Sequence, residues 1–276
     1  MAHERLIEQL VVGRQTSDGA GVKLKRILTT EWHHRLDPWL MLDEFGSDNA
    51  GDYIAGFPPH PHRGFETITY MLAGRMEHQD NHGNRGVVEA GGVQWMTAGK
   101  GIVHSEMPAQ ESGLMRGFQF WLNLPAAQKM IEPNWADVPA IQIPVWQTES
   151  VSVKVIAGQF NALDGVIQRD VTQPMILDVN FYQAAQQWID IPLGHHAFVY
   201  AYAESTTVSG SNLLASQMGV LAQNGEGVML EGVAGSRLLV VSAQPLNEPI
   251  AANGPFVMNT QSELKQAFED YRFGQF

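Results

Sequence analysis

The sequence predicts an all-β protein, a sandwich or barrel of many short strands, and three observations lead there. Apolar and polar residues alternate in short runs; glycine, 27 of 276 residues, is dispersed between those runs rather than clustered; and one segment alone carries a helical period. Period-two runs closed off by Gly, Asn, Asp or Pro indicate strands joined by tight turns. Many such strands in succession favour a sandwich or barrel.

Taken in order, Thr67-Ile68-Thr69-Tyr70-Met71-Leu72 and Val93-Gln94-Trp95-Met96 are the clearest strands of the first half, with the turn Asp80-Asn81-His82-Gly83-Asn84 between them. From Leu124 to Pro144 the alternation is broken by Pro125, Pro133, Pro139 and Pro144. A division within this stretch gives an N-terminal domain of residues 1–135 and a C-terminal domain of residues 136–276. Strand patterning resumes at Val151-Ser152-Val153-Lys154-Val155-Ile156 and again at Phe198-Val199-Tyr200-Ala201-Tyr202. The helix is C-terminal: Thr260-Gln261-Ser262-Glu263 has capping-box spacing, and Leu264, Ala267, Phe268 and Tyr271 follow at i, i+3, i+4 and i+7. A faint internal echo pairs His62-Arg63-Gly64-Phe65 with His196-Ala197-Phe198, and Gly91-Gly92-Val93-Gln94-Trp95-Met96 with Gly225-Glu226-Gly227-Val228-Met229-Leu230. It suggests a duplicated β unit.

Charge narrows the function. There are 17 basic and 29 acidic residues, a formal net charge of −12, and the acidic excess runs through both halves. A surface that tracks phosphates needs a basic stripe, so no direct nucleic-acid partner is expected. No apolar run approaches the ~18 residues of a membrane span, and residues 1–9 lack a signal-type apolar core, so we expect a cytoplasmic protein without a membrane partner. The absence of cysteine removes disulfides, thiolate metal sites and Cys nucleophiles together. Any metal must be held by histidine and carboxylate.

Histidine is concentrated where such a site would lie: eight of the ten fall before residue 105. Pro58-Pro59-His60-Pro61-His62 places two imidazoles at i and i+2, and His104-Ser105-Glu106 places an imidazole and a carboxylate at the same spacing. In extended chain, i and i+2 share a face. Two such strands facing one another would bring three nitrogens and one oxygen to one point, a donor set that suits Fe, Ni, Cu or Zn. The adjacent pairs His33-His34 and His195-His196 point to opposite faces of a strand and do not suit a shared ion. His78 and His82 flank the turn at 80–84 and read as solvated loop residues. Glu66 keeps the parity of His60 and His62 and competes with Glu106 for the role of oxygen ligand; spacing alone does not choose between them. No P-loop, Rossmann fingerprint or Gly-x-Ser-x-Gly elbow is present.

At these residues the chain resembles a known family. Asp37-Pro38-Trp39-Leu40-Met41-Leu42-Asp43-Glu44-Phe45, Pro58-Pro59-His60-Pro61-His62-Arg63-Gly64-Phe65-Glu66-Thr67 and Gln94-Trp95-Met96-Thr97-Ala98-Gly99-Lys100-Gly101-Ile102-Val103-His104-Ser105-Glu106 are similar to hallmark segments of the pirins, and Gly254-Pro255-Phe256-Val257-Met258-Asn259-Thr260 is similar to their C-terminal signature. The resemblance implies a bicupin: two jelly-roll-like β-barrel domains packed together, with one divalent metal ion in the N-terminal barrel and none in the C-terminal one. Carried over residue by residue, it implies His60, His62, His104 and Glu106 as ligands, with Glu66 behind them. Fe(II) is the expected ion, although Ni, Co, Mn, Cu and Zn accept the same donors.

Two activities are implied by the resemblance. Some pirins resemble quercetin 2,3-dioxygenases, which open a flavonol with O2 and release CO. Others are metal- or redox-dependent regulators that bind a transcription factor or a metabolic enzyme. In the enzymatic reading the partners are a small aromatic, flavonol-like substrate and O2, with Glu106 as catalytic proton acceptor and Glu66 as the fallback. In the regulatory reading the partner is a protein. Phe45, Met71, Phe118, Phe120 and Trp121 are candidate walls for a flat ring. Gln119 has the opposite parity to Phe118 and Phe120, so only one of these two sets faces the metal. A monomer is expected, since two barrels can cover each other's faces.

Overall fold

The computed structural model describes residues 3–276. The chain divides into two compact units, and neither is continuous in sequence: residues 14–31, 38–141 and 246–276 form one, and residues 1–13, 32–37 and 142–245 the other. A single cut between 135 and 136 therefore does not reproduce this grouping. The first strand, Ile7–Val12, lies antiparallel to Gln217–Leu221, about two hundred residues further along the chain, so it belongs with the later unit. Residues 246–276 group with the earlier one.

Each unit has a seven-stranded and a four-stranded antiparallel sheet, in matching order. In the earlier unit the large sheet runs Asn134–Val138, Val93–Thr97, Phe65–Ala73, Met115–Asn123, Trp39–Ser47, Val22–Leu28, Arg14–Asp18. The small sheet runs Phe57–His62, Ile102–Pro108, Arg75–Asp80, Arg85–Glu89. In the later unit the large sheet runs Ile7–Val12, Gln217–Leu221, His196–Ala203, Arg237–Ala243, Met175–Phe181, Val151–Ala157, Val145–Gln147, and the small one Ala185–Asp190, Gly227–Gly232, Thr206–Val208, Ser211–Leu213. All four strands anticipated from alternation lie within these sheets.

The echo at His62 and His196 is structural, because the strands that follow, Phe65–Ala73 and His196–Ala203, hold the same place in their sheets. The second echo is not. Val93–Thr97 corresponds by position to Gln217–Leu221, whereas Gly227–Gly232 corresponds to Ile102–Pro108.

The two units fill their interiors differently. In the later unit one buried cluster of Val, Leu, Ile, Ala, Met and Phe runs from Val151 to Val240 and includes Ile189, Val228 and Leu230 of the small sheet. Burial of this kind contributes ~25 cal/mol per Å2 of apolar surface and suffices to hold two sheets together. In the earlier unit an apolar cluster of Val22, Leu24, Phe45, Met71, Met76 and Val88 joins the sheets over part of the interior. The rest carries polar side chains, among them Thr69, His78, His104, Glu106 and Gln119.

The helix Gln261–Arg272 is the only α-helix among the described residues, and no helix there is long and apolar enough to cross a membrane. Its capping box forms as the sequence predicts: Thr260 Oγ1 accepts from the Glu263 amide at 3.2 Å and Glu263 Oε2 accepts from the Thr260 amide at 2.9 Å. Leu264 and Ala267 are buried against Ala251, Phe256 and Met258, while Phe268 and Tyr271 lie half exposed beside the Phe256 ring.

Candidate metal centre

Proline shapes the first ligand strand. Pro58, Pro59 and Pro61 restrict Phe57–His62 to extended backbone, and the strand sits at the edge of its sheet, where missing N–H donors are tolerated. It pairs with Ile102–Pro108 so that His104 stands opposite His60 and Ile102 opposite His62. Directly opposed residues share a face. The alternation in both strands then gathers three rings, with centroids 4.7 Å apart for His60 and His62, 4.4 Å for His60 and His104, and 5.1 Å for His62 and His104. One ligand-type nitrogen from each lies within 4.8 Å of the others.

Two of the rings are held neutral and the third is fixed in orientation. His60 Nδ1 is 2.8 Å from the Pro58 carbonyl, which can only accept, so Nδ1 is the donor of that bond and Nε2 is the ring's ligand-type nitrogen. Burial holds His62 and His104 well below the usual histidine range; the other imidazoles of the cluster add to this, and the Pro255 carbonyl opposes it at His62. Neither ring nitrogen of His104 has a hydrogen-bond partner, nor does Nδ1 of His62. Buried polar atoms left in this way are costly unless something binds them. The donor set therefore fits a divalent metal ion.

Glu106 is brought to the same interior but not into the same cluster. Its strand is irregular between His104 and Glu106, and its carboxylate lies among Thr69, Gln119 and His78 of three other strands. Oε1 accepts from Thr69 Oγ1 at 3.0 Å, and Oε2 accepts from Gln119 Nε2 at 3.3 Å. Burial raises its pKa, while His60, Thr69 and Gln119 act in the opposite sense.

Glu66 is placed elsewhere. Its parity with His60 and His62 does not carry through, because Phe57–His62 and Phe65–Ala73 belong to different sheets, separated by Gly64 with φ +88°. Within the large sheet Glu66 lies opposite Thr97 and Leu122 and accepts from Thr97 Oγ1 at 2.7 Å. It shares that face with Ile68, Tyr70, Phe118 and Phe120. Thr67, Thr69, Gln119 and Trp121 form the other face, toward the histidines. Among the proposed aromatic walls, Trp121 thus borders the cluster, its ring 5.3 Å from His62 and 4.3 Å from Phe65. Phe118 and Phe120 do not.

His78 is not the solvated loop residue that the sequence suggests. It is fully buried on Arg75–Asp80, directly opposite Glu106, with its Nδ1 3.5 Å from Oε1; burial and the nearby His60 push its pKa down to about 3. A signal was present: Met76, His78 and Asp80 alternate with Arg75, Glu77 and Gln79, and the first three are all buried. His82 is exposed, as expected of a turn residue. His195 and His196 are both buried, bonded to Ser242 and Gln223 respectively.

The segment following His62 is braced by the C-terminal residues. Arg63 donates to Asp270 at 2.7 Å and to the Lys100 carbonyl at 2.5 Å, and its guanidinium lies 4.4 Å from the Phe276 ring centroid. Buried Lys129 donates to the carbonyls of Gly64 and Val257 and to Asn123 Oδ1.

Two family models match the chain: Pirin over residues 21–122 and the Pirin C-terminal cupin domain over residues 176–276. A Pseudomonas aeruginosa protein named "Putative quercetin 2,3-dioxygenase" is 45% identical over 282 residues, covering 99% of both chains. A pirin-like protein of Caulobacter vibrioides is 45% identical over 276 residues, again covering 99% of each. Among solved structures, quercetin 2,3-dioxygenase from Acinetobacter baumannii superposes with a TM-score of 0.92 at 29% identity, covering 99% of this chain and 98% of the other. A bacterial pirin from Escherichia coli, solved in complex with nickel(II), shares the fold at 18% identity with a TM-score of 0.68, covering 86% of this chain and 99% of that one.

Proposed function

The chain belongs to the pirin family of two-domain cupins, and on that premise we propose that it is a metal-dependent dioxygenase that opens the heterocycle of quercetin-type flavonols with O2 and releases CO. His60, His62, His104 and Glu106 hold one divalent ion, Fe(II) in our reading. The observation that carries the proposal is the trio of histidine rings 4.4–5.1 Å apart, two of them buried and kept neutral, with nitrogens that no protein group engages.

Four protein donors leave two positions of a six-coordinate ion open, so the metal, when bound, would supply a Lewis acid for a substrate oxygen and an entry point for dioxygen. The chain's own residues do the rest. The partly exposed Trp121 ring beside His62, backed by buried Phe65, offers a stacking surface for a flat aromatic substrate. Glu106 takes the proton of the flavonol 3-hydroxyl as its bond to the metal loosens. Gln119 Nε2, which donates to Oε2, holds the carboxylate in its resting orientation. In the overall reaction both oxygen atoms enter the product, the two carbon–carbon bonds to C3 break, and C3 departs as CO.

The test is anaerobic purification with metal analysis, followed by quercetin and air, reading flavonol absorbance and CO together. Wild-type protein should consume the flavonol in proportion to its metal content. His62→Ala and His104→Ala should lose most metal and turnover while keeping the far-UV spectrum of the β fold. A fully loaded protein that leaves quercetin untouched defeats the enzymatic reading, and metal-dependent capture of a protein partner then becomes the experiment to run.

A further inference from the structure

The carboxylate of Glu106 sits in a hydrogen-bond network in which one donor is shared between two acceptors. Its acceptors are Glu106 Oε1, Glu106 Oε2 and Gln119 Oε1. Gln119 Nε2 serves Oε2 at 3.3 Å, while Thr69 Oγ1 lies 3.0 Å from Glu106 Oε1 and 2.9 Å from Gln119 Oε1. A hydroxyl has a single proton, so it cannot donate fully to both. A further donor group stands beside Oε1. His78 is 2% exposed, neither of its ring nitrogens has a hydrogen-bond partner, and Nδ1 lies 3.5 Å from Glu106 Oε1 across the sheet.

We propose that His78 is a positioning residue for Glu106: as the Nδ1–H tautomer it donates to Oε1, releases the Thr69 hydroxyl to Gln119, and fixes the orientation in which the carboxylate meets the metal. Three donors then match three acceptors. Oε2, whose one bond is 3.3 Å long, is the oxygen with capacity to spare. Loss of the His78 proton leaves the Thr69 hydroxyl shared between two acceptors and the carboxylate poorly oriented. Outer partners of this kind tune metal affinity by about 10–100-fold. The inference rests on the proposed placement of Glu106 among the metal ligands.

The experiment uses chelator-stripped protein and Co(II) alone as probe, with affinity read by competition against a chromophoric chelator and the ligand field by visible absorption. His78→Phe should bind Co(II) about 10–100-fold more weakly. His78→Asn puts an amide N–H where Nδ1 was and should restore affinity to within about threefold, whereas His78→Gln, which mimics the other nitrogen, should resemble His78→Phe. Nitrogen-15 NMR of the metal-free protein should report a proton on Nδ1 of His78.

Wild-type affinity in His78→Phe, equal affinities in His78→Asn and His78→Gln, or an Nε2–H tautomer each overturns the proposal. If His78→Phe does not fold, the Asn and Gln pair and the NMR spectrum decide. Glu106→Gln separates the underlying reading: unchanged Co(II) affinity and spectrum there remove Glu106 from the metal, whatever His78 does.

Discussion

Gly64 joins the first ligand strand to the large sheet, and replacing it with alanine tests how tightly that junction is built. Two costs are expected. Its φ of +88° is strained for any residue with a Cβ, which amounts to about 1–2 kcal/mol. The new Cβ would also lie 2.0 Å from the Val257 carbonyl oxygen and 3.1 Å from Met258 Sδ. That carbonyl cannot retreat freely, because it accepts from Lys129 Nζ at 2.9 Å, and overpacking of this kind costs about 1–3 kcal/mol. The sum is about 2–5 kcal/mol, or roughly 3–9 °C in Tm for a protein of this size. Gly83 supplies the control, with φ +85° and nothing within 4 Å of its built Cβ. Gly83→Ala should lose only the strain, about 1–2 kcal/mol. Urea unfolding of both variants, with Co(II) affinity measured on the same samples, gives the comparison. Gly64→Ala should lose more stability and also bind metal more weakly, since His62 lies two residues upstream. Equal stability losses in the two variants would refute the close-approach argument.

Further outcomes follow from the same geometry. Glu66→Gln should leave Co(II) affinity within about twofold of wild type, because outer residues alter affinity only when they touch a ligand and Glu66 lies on the far face of its sheet; a larger loss than in Glu106→Gln would reverse the assignment of the two carboxylates. Burial, Arg5 and His196 hold His195 at a pKa of about 4, below the usual 6.5. The unfolded chain therefore binds a proton first, and the contribution of His195 to stability is complete above about pH 6.5 and lost as pH falls toward 4, at no more than about 1.4 kcal/mol per pH unit. Urea midpoints across that window should fall less steeply in His195→Gln than in wild type. Thr260→Ala removes the Oγ1 acceptor of the capping box and should cost about 0.5–2 kcal/mol in the same assay.

Local periodicity made much of this molecule legible. The strands at 67–72, 93–96, 151–156 and 198–202 and the capped C-terminal helix are patterns a few residues long, and so are the pairs His60, His62 and His104, Glu106. What escaped was set by distant partners or by a change of direction. Ile7–Val12 gives no local sign that its neighbour is Gln217–Leu221. The parity of Glu66 was counted through Gly64, where the chain leaves one sheet for another. His78 stands beside a real turn, and Arg75, Glu77 and Gln79 around it gave its strand the look of a solvated loop. The faces of Gln119 and Trp121 depended on which side of the large sheet met the small one, a fact that only the register of Thr69 against Gln119 supplies.

The interleaving of the two units also sets an order of events during synthesis. The strand Ile7–Val12 emerges from the ribosome long before Gln217–Leu221 exists to receive it, so it waits unpaired while most of the chain is made. The unit with the histidine cluster is likewise incomplete until residues 246–276 have appeared, since Arg63 and Lys129 take their partners from that segment. At the ~5–20 residues per second of translation, that wait lasts several seconds or more. The histidine site is accordingly assembled only after residues 246–276 have been made, so an ion that needs the completed site meets it late in synthesis at the earliest.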